Sequence, residues 1–442
     1  MSCRCFIVPP HLLRGIAEST GNPEHVREAA KASLAAHDRV SSARRERLAT
    51  LAQPGDSGAA ASRASPFIPE GVLTRLSTSE SVDEATRTRA KRDLNHLQSL
   101  MAKAPEAQKD QPVDVAVALA ASSKGKDKDG PKDAPYRAVY DAKKTEDEDE
   151  LPGELIRAEG EAKVEDKDVN LAFDNVGHVL DFYKEHCNWK SIDNKNADVI
   201  SSVHFGEKYE NACEWPNQRK SLYTGLQATP VWDPEKLQMV FGDGGEFLNN
   251  FTGCIDVIGH ELTHAVTEHT SPLEYMDQPG ALNEHISDVF GIMIKQKIED
   301  EQSDKADWLI GEGCLLPDVK GLALRSLKNP GEAYNDPRFG KDPQVDNMAQ
   351  YEKTFEDNGG VHIFSGIPNK AFYLAAVAFG GYSWEKAGQI WWKAMNSSKV
   401  PPRCSFGQFA DVTVDCAEEE FGEDAAMKVR KAWTDVGVTR RV

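Results

Sequence analysis

The stretch IDVIGHELTHAVTEH, residues 255–269, sets His260 and His264 four positions apart with Glu261 between them. Side chains four apart on a helix lie on one face, one turn apart, so the two imidazoles can converge on a single point. Ile255, Val257, Ile258, Leu262, Ala265 and Val266 surround them with apolar side chains. That is the pattern of a buried helix, and three polar groups buried at one spot need a partner. A metal ion supplies one. Neutral imidazole is a common zinc ligand, and in H-E-x-x-H helices the two histidines hold zinc while the glutamate serves as general base.

A catalytic zinc takes three protein ligands and keeps one position open. Glu284 follows His264 by twenty residues, inside GALNEHISDVFG (280–291), and Asp288 comes one helical turn later. One of these carboxylates can bind the metal while the other accepts a hydrogen bond from a histidine ligand and fixes its tautomer. His285 points about 100° away from Glu284 and is read as structural.

The rest of the chain narrows the function classes. Its 442 residues are 40% hydrophobic, enough for two or three cored domains. The net charge of -19 would repel nucleic acid and anionic membranes, so neither is expected as a partner. The eight cysteines include no C-x-x-C pair and give no indication of a disulfide framework. Phe6–Val8 is too short for the apolar core of a signal peptide, and no stretch reads as a membrane span. The expectation is a soluble protein that stays in the cytoplasm or leaves it by a leaderless route.

Residues 1–105 are basic, alanine-rich and helical in pattern, with Ser81 and Glu84 fitting a capping box before a helix through Leu94, Leu97 and Met101. A charged segment punctuated by Gly and Pro, SSKGKDKDGPKDAP (122–135), ends the linker expected over 106–135. From 136 to 268 short β-type runs dominate: ELIRAEG, VISSVHFG and QMVFGDG. From 269 to 442 the spacing becomes helical. The expected fold class is α+β, a β-rich lobe followed by an α-helical lobe, with the 255–269 helix and the metal site in the cleft between them.

HELTHAV, GALNEHISDVFG and DNGGVHIFSGIPNKAF (357–372), in that order, resemble the thermolysin family of zinc metallopeptidases over roughly 135–442. The first segment, with IVPPHLLRGIAE (7–18) and LNHLQSLM (94–101), looks like the short propeptide of the protealysin-like branch. The resemblance implies one zinc held by His260, His264 and Glu284, with Glu261 as general base and Asp288 behind His260. It implies that His362, oriented by Asp357, and Tyr275 stabilise the oxyanion, and that Arg325 binds the substrate carbonyl and steadies Glu284. Asn211 and Ala212 in YENA (209–212) match the edge strand that pairs with substrate, although an insert follows at 213–229 and QATPVW competes for the role. Val257 and Leu324, aided by Phe247 and Phe251, match the pocket for the side chain after the cut. An apolar pocket there implies cleavage on the amino side of Leu, Phe or Ile.

Departures from the family pattern matter as well. Asp256, Asp307 and Glu312 match carboxylates of a paired calcium site, but Lys295 and Leu309 stand where acids are expected, so at most one calcium is implied. Phe364 replaces a small polar residue. The N-terminal segment is expected to inhibit its own catalytic part, either sterically or with Cys5 as a fourth zinc ligand. Two other readings stand beside the endopeptidase. An inactive relative used as a binding module has no need of Glu261, Tyr275, Arg325 and His362, and a zinc aminopeptidase would be expected to carry a G-x-M-x-N motif, which is absent.

Overall fold

The computed structural model describes residues 10–28, 30, 31, 34, 134–145, 150–205, 231–233, 238–244, 249–338, 340–354 and 357–438. Asn211, Ala212, Phe247, Cys5, the Ser81 capping box and most of the linker lie outside them. The chain forms two compact units. Residues 48–129 make one and lie outside the described residues; residues 1–47 and 130–442 make the other.

Helix α1 spans Pro10–Glu18 and buries Leu12, Leu13, Ile16 and Ala17. The sheet follows, built from β1 (Arg137–Asp141), β2 (Glu154–Ala158), β3 (Val199–Val203), β4 (Val231–Asp233) and β5 (Gln238–Val240) in the order β2-β1-β3-β5-β4. Strands β1, β3 and β5 run parallel, and the two edges are antiparallel. The three β-type runs of the sequence become β2, β3 and β5. A crossover between parallel strands needs a covering element, and here it is α2, Lys167–Cys187.

Helix α2 adds a helix to the strands read over 136–268, and at 21 residues it is the longest element there among the described residues. Its signals were present. Asp166 caps it by accepting from Asp168 N and Val169 N, and Val169, Ala172, Phe173, Val176, Leu180 and Tyr183 recur at helical spacing.

Helix α3 (Ile255–Thr270) stops just before Pro272, and α4 spans Asp277–Glu299. They cross where neither backbone carries a side chain. A Cβ on Gly291 would lie 2.4 Å from Asp256 O, and one on Gly259 would lie 2.9 Å from Ile294 Cδ1. Glycine at both positions lets the helix axes approach closely, one residue from His260 and three from Asp288. Four short strands follow: β6 (Leu309–Ile310), β7 (Arg325–Ser326), β8 (Asn335–Asp336) and β9 (Gly340–Lys341). The β6–β7 ladder sets Arg325 opposite Ile310. Helices α5 (Asp357–Phe364), α6 (Gly366–Phe379), α7 (Lys386–Asn396), α8 (Phe406–Phe421) and α9 (Glu423–Asp435) complete the helical lobe around Phe372, Trp391, Phe409 and Trp433. Cys254 and Cys314 pair as a disulfide that ties the start of α3 to the loop after β6, a pairing that composition alone gave no reason to expect. No helix among the described residues is long and apolar enough to cross a membrane.

Candidate metal centre

Helix α3 contributes His260, Glu261 and His264 and α4 contributes Asn283, Glu284 and Asp288, all fully or almost fully buried. His260 Nδ1 lies 2.8 Å from Asp288 Oδ1, and His264 Nδ1 lies 2.6 Å from Asn283 Oδ1. A carboxylate and an amide oxygen only accept, so both Nδ1 atoms carry hydrogen and each neutral ring turns an Nε2 lone pair inward. The two Nε2 atoms are 3.1 Å apart, and the Glu284 carboxylate lies 3.5 Å from one and 3.6 Å from the other.

Four ligands placed tetrahedrally about 2.05 Å from zinc are separated by about 3.3 Å. The three donor atoms therefore fit the group, and among the described residues His260, His264 and Glu284 form a buried set able to hold a metal ion. Without a cation, two lone pairs and a carboxylate repel. Burial lowers the pKa of both histidines, and His264 falls to about 4. At His260 the hydrogen bonds to Asp288 and Glu284 oppose burial and raise it to about 9.

A second set of donors borders this one. Asp357 Oδ1 lies 2.7 Å from His362 Nδ1, and its other oxygen accepts the His362 N–H at 2.8 Å. His362 Nε2 is thereby aimed at Tyr275 Oη, 3.5 Å away, and at Glu284 Oε2, 3.4 Å away. The Tyr275 hydroxyl donates to Glu284. Asp357 and Asn358 hold φ of 51° and 50°, ahead of Gly359 and Gly360 at 87° and 78°. Left-handed backbone costs a non-glycine residue about 1–2 kcal/mol, and such strain concentrates where a side chain must be aimed.

The Arg325 guanidinium donates to Asp288 at 2.8, 2.9 and 3.2 Å, which ties it to the ligand set through Asp288 and His260. The pair is buried, and although burial opposes charge, Arg325 and His260 hold the Asp288 carboxyl well below its ordinary range. Val257, Leu324 and Phe251 are buried in the main core. Phe364 is buried too and stacks at a tilt on Tyr351.

At the calcium-like carboxylates, Lys295 takes the central place. Its ammonium lies 2.8 Å from Glu312, 3.1 Å from Asp307 and 3.4 Å from the Leu309 carbonyl. Asp256 accepts from Gly311 N and adds its charge to that around Lys295. Asp166, Asp168 and His204 also cluster, but His204 donates from both ring nitrogens, to Asp166 at 2.9 Å and to Asp243 at 2.5 Å, and these hydrogen bonds raise its pKa to about 9, so it holds a proton on each nitrogen and offers no lone pair to a metal.

Sequence reading missed Asn283, although it stands directly before Glu284 on the helix that supplies the third ligand. It also missed His11 on α1. His11 Nε2 lies 2.9 Å from Tyr334 Oη, and the ring feels Asp357, His362 and Arg325. Ser19 and Asn22 donate to the carbonyls of Pro337 and Arg338, so the segment around α1 lies along the β8–β9 turn.

Known proteins match the same regions. The models described as thermolysin metallopeptidase, catalytic domain, and thermolysin metallopeptidase, alpha-helical domain, match residues 116–268 and 271–438, and the protealysin propeptide model matches 66–109. Protease PrtS of Photorhabdus sp. (strain Az29) is 40% identical over 84% of this chain and 91% of its own. The extracellular metalloprotease of Pectobacterium carotovorum subsp. carotovorum is 42% identical over 69% of this chain and 82% of its own. The solved precursor of protealysin, the metalloproteinase from Serratia proteamaculans, superposes with a TM-score of 0.64 at 40% identity, covering 84% of this chain and 99% of that one. With the buried His260–His264–Glu284 set in the helical arrangement this fold uses, the chain belongs to the thermolysin family of metallopeptidases, as a protease that carries a protealysin-type propeptide.

Proposed function

We infer that this protease is a zinc endopeptidase that cleaves on the amino side of bulky apolar residues and is made as a latent precursor. The observation that carries the reading is the convergence of two imidazole lone pairs and one carboxylate, all buried, on one point. Zinc, when bound there, polarises the scissile carbonyl and lowers the pKa of water to about 7. Glu261, next in sequence to His260 and fully buried, takes the proton from the attacking water and passes it to the leaving amine. His362 and Tyr275 donate to the oxyanion, each contributing on the order of 3–4 kcal/mol. Arg325 binds the substrate carbonyl from its seat on Asp288. Asn211 and Ala212 pair with the substrate backbone, and Val257 and Leu324 present apolar side chains to the residue after the cut, which favours apolar guests by roughly 25 cal/mol per Å².

The placement of Lys295 supports a site with no calcium: an ammonium already occupies the space among Asp307, Glu312 and the Leu309 carbonyl. Latency is supported by His11 of the N-terminal segment, whose ring lies within electrostatic reach of Asp357, His362 and Arg325. The test is Glu261→Gln in the processed enzyme, followed by metal analysis and peptide hydrolysis. Zinc is expected to stay while turnover disappears. Retained zinc with near-normal turnover refutes the mechanism, and a cleavage profile dominated by charged residues after the cut refutes the specificity.

A further inference from the structure

His285, next to the ligand Glu284, faces away from the metal centre, and the chemistry of the ligands leaves it without a task. Its environment is specific all the same. Trp391 Nε1 lies 2.8 Å from His285 Nε2, His285 Nδ1 lies 2.8 Å from Asn369 Oδ1, and Asn369 Nδ2 lies 2.9 Å from Asp288 Oδ2. The other oxygen of Asp288 receives His260 Nδ1 at 2.8 Å. All five side chains are fully buried.

The sense of this chain is fixed at its far end. An indole N–H only donates, so His285 Nε2 must accept and must be unprotonated. The hydrogen then sits on Nδ1 and donates to Asn369, which must present its oxygen to His285 and its NH₂ to Asp288. The flipped amide would set oxygen against carboxylate and N–H against N–H. Asp288, loaded by Asn369 on one oxygen and by Arg325 on both, accepts from His260 Nδ1–H and leaves His260 Nε2 to the metal.

We propose that Trp391, His285 and Asn369 form a directional hydrogen-bond relay that positions Asp288 and thereby sets the tautomer and zinc affinity of His260. They are positioning residues, three links from the metal at Asn369 and five at Trp391, and the role rests on the zinc reading above. Partners behind a metal ligand typically change affinity 10–100-fold when removed. The measurement is zinc affinity of the full chain by competition with a chromophoric chelator, with melting temperature recorded alongside. Asn369→Leu is expected to weaken zinc about 10–100-fold. His285→Phe should weaken it too, whereas His285→Gln, whose amide can accept from Trp391 and donate to Asn369, should restore most of the loss. Trp391→Phe keeps the ring packing and should shift affinity in the same direction by less.

Phe409→Leu is the packing control. Phe409 stands edge-on to His285 at 6.1 Å between ring centroids and takes part in none of these hydrogen bonds. It should lower the melting temperature and leave zinc affinity unchanged. Wild-type affinity in Asn369→Leu and His285→Phe, or an equal loss in Phe409→Leu, overturns the relay. Failure of the wild-type chain to bind zinc at all overturns instead the metal reading on which it rests.

Discussion

Acidification should loosen the N-terminal segment from the catalytic unit, and His11 sets the size of the effect. Burial drives the His11 pKa from its ordinary 6.5 to about 3; Asp357 raises it, and His362, Arg325 and Arg14 lower it further, while Tyr334 holds Nε2. A depressed histidine pKa means that the proton binds the undocked segment better. Docking is therefore strongest above pH 6.5, weakens nearly tenfold per unit as pH falls, and levels off near pH 3. Between pH 7 and pH 5 the ratio (1 + 10^1.5)/(1 + 10^-0.5) gives about a 25-fold loss, or ~1.9 kcal/mol. The assay is hydrogen exchange of the α1 amides in the Glu261→Gln precursor, which cannot process itself, beside the same chain carrying His11→Gln to cancel the intrinsic pH dependence of exchange. The opening constant should rise about 25-fold in the first chain and stay level in the second. Parallel pH profiles in the two chains would refute the assignment of the effect to His11.

What was legible in the sequence was local. The ligands of α3 and α4 announce themselves because helical spacing brings residues four apart to one face, and His260, His264, Glu284 and Asp288 all follow from two short segments. The Lys295 substitution was equally readable, since a cation standing where an acid is expected changes the charge of a site before any geometry is known. Helix α2 was legible but overlooked, its period hidden among neighbouring strand-like runs. The order β2-β1-β3-β5-β4 was not legible, because which strands become neighbours depends on α2 covering the crossover and on burial of both faces. Nor was the partner of Arg325, which is set by the β6–β7 ladder rather than by its own neighbours. The His285–Asn369 and His285–Trp391 contacts join residues 84 and 106 positions apart, so a histidine that reads as ordinary structure acquires a direction only in the fold.

Three further outcomes are expected. Gly291→Ala should place a methyl group against the Asp256 carbonyl, 2.4 Å from its Cβ, spread α3 from α4, and cost about 1–3 kcal/mol in a denaturant melt along with weaker zinc binding; unchanged values in both would show that the helices do not need that approach. Asp288→Leu should cost about 3–5 kcal/mol because it strands the buried Arg325 guanidinium, and Asp288→Leu with Arg325→Met should recover much of that stability without recovering zinc affinity; stability that fails to return would mean the cost lies in packing. The last concerns Lys295, whose ammonium is buried against Asp307 and Glu312 with Asp256 behind. With the lysine in place, added calcium or a calcium-selective chelator should leave the melting temperature unmoved. Lys295→Asp turns the same pocket into four carboxylates, whose mutual repulsion should destabilise the chain by about 3–5 kcal/mol when no divalent ion is present. Oxygen-rich clusters of that charge suit calcium, so millimolar calcium should raise the melting temperature of the variant towards that of the parent, by an amount that grows with the logarithm of its concentration. A parent chain that is itself stabilised by calcium would mean that the lysine does not fill the site.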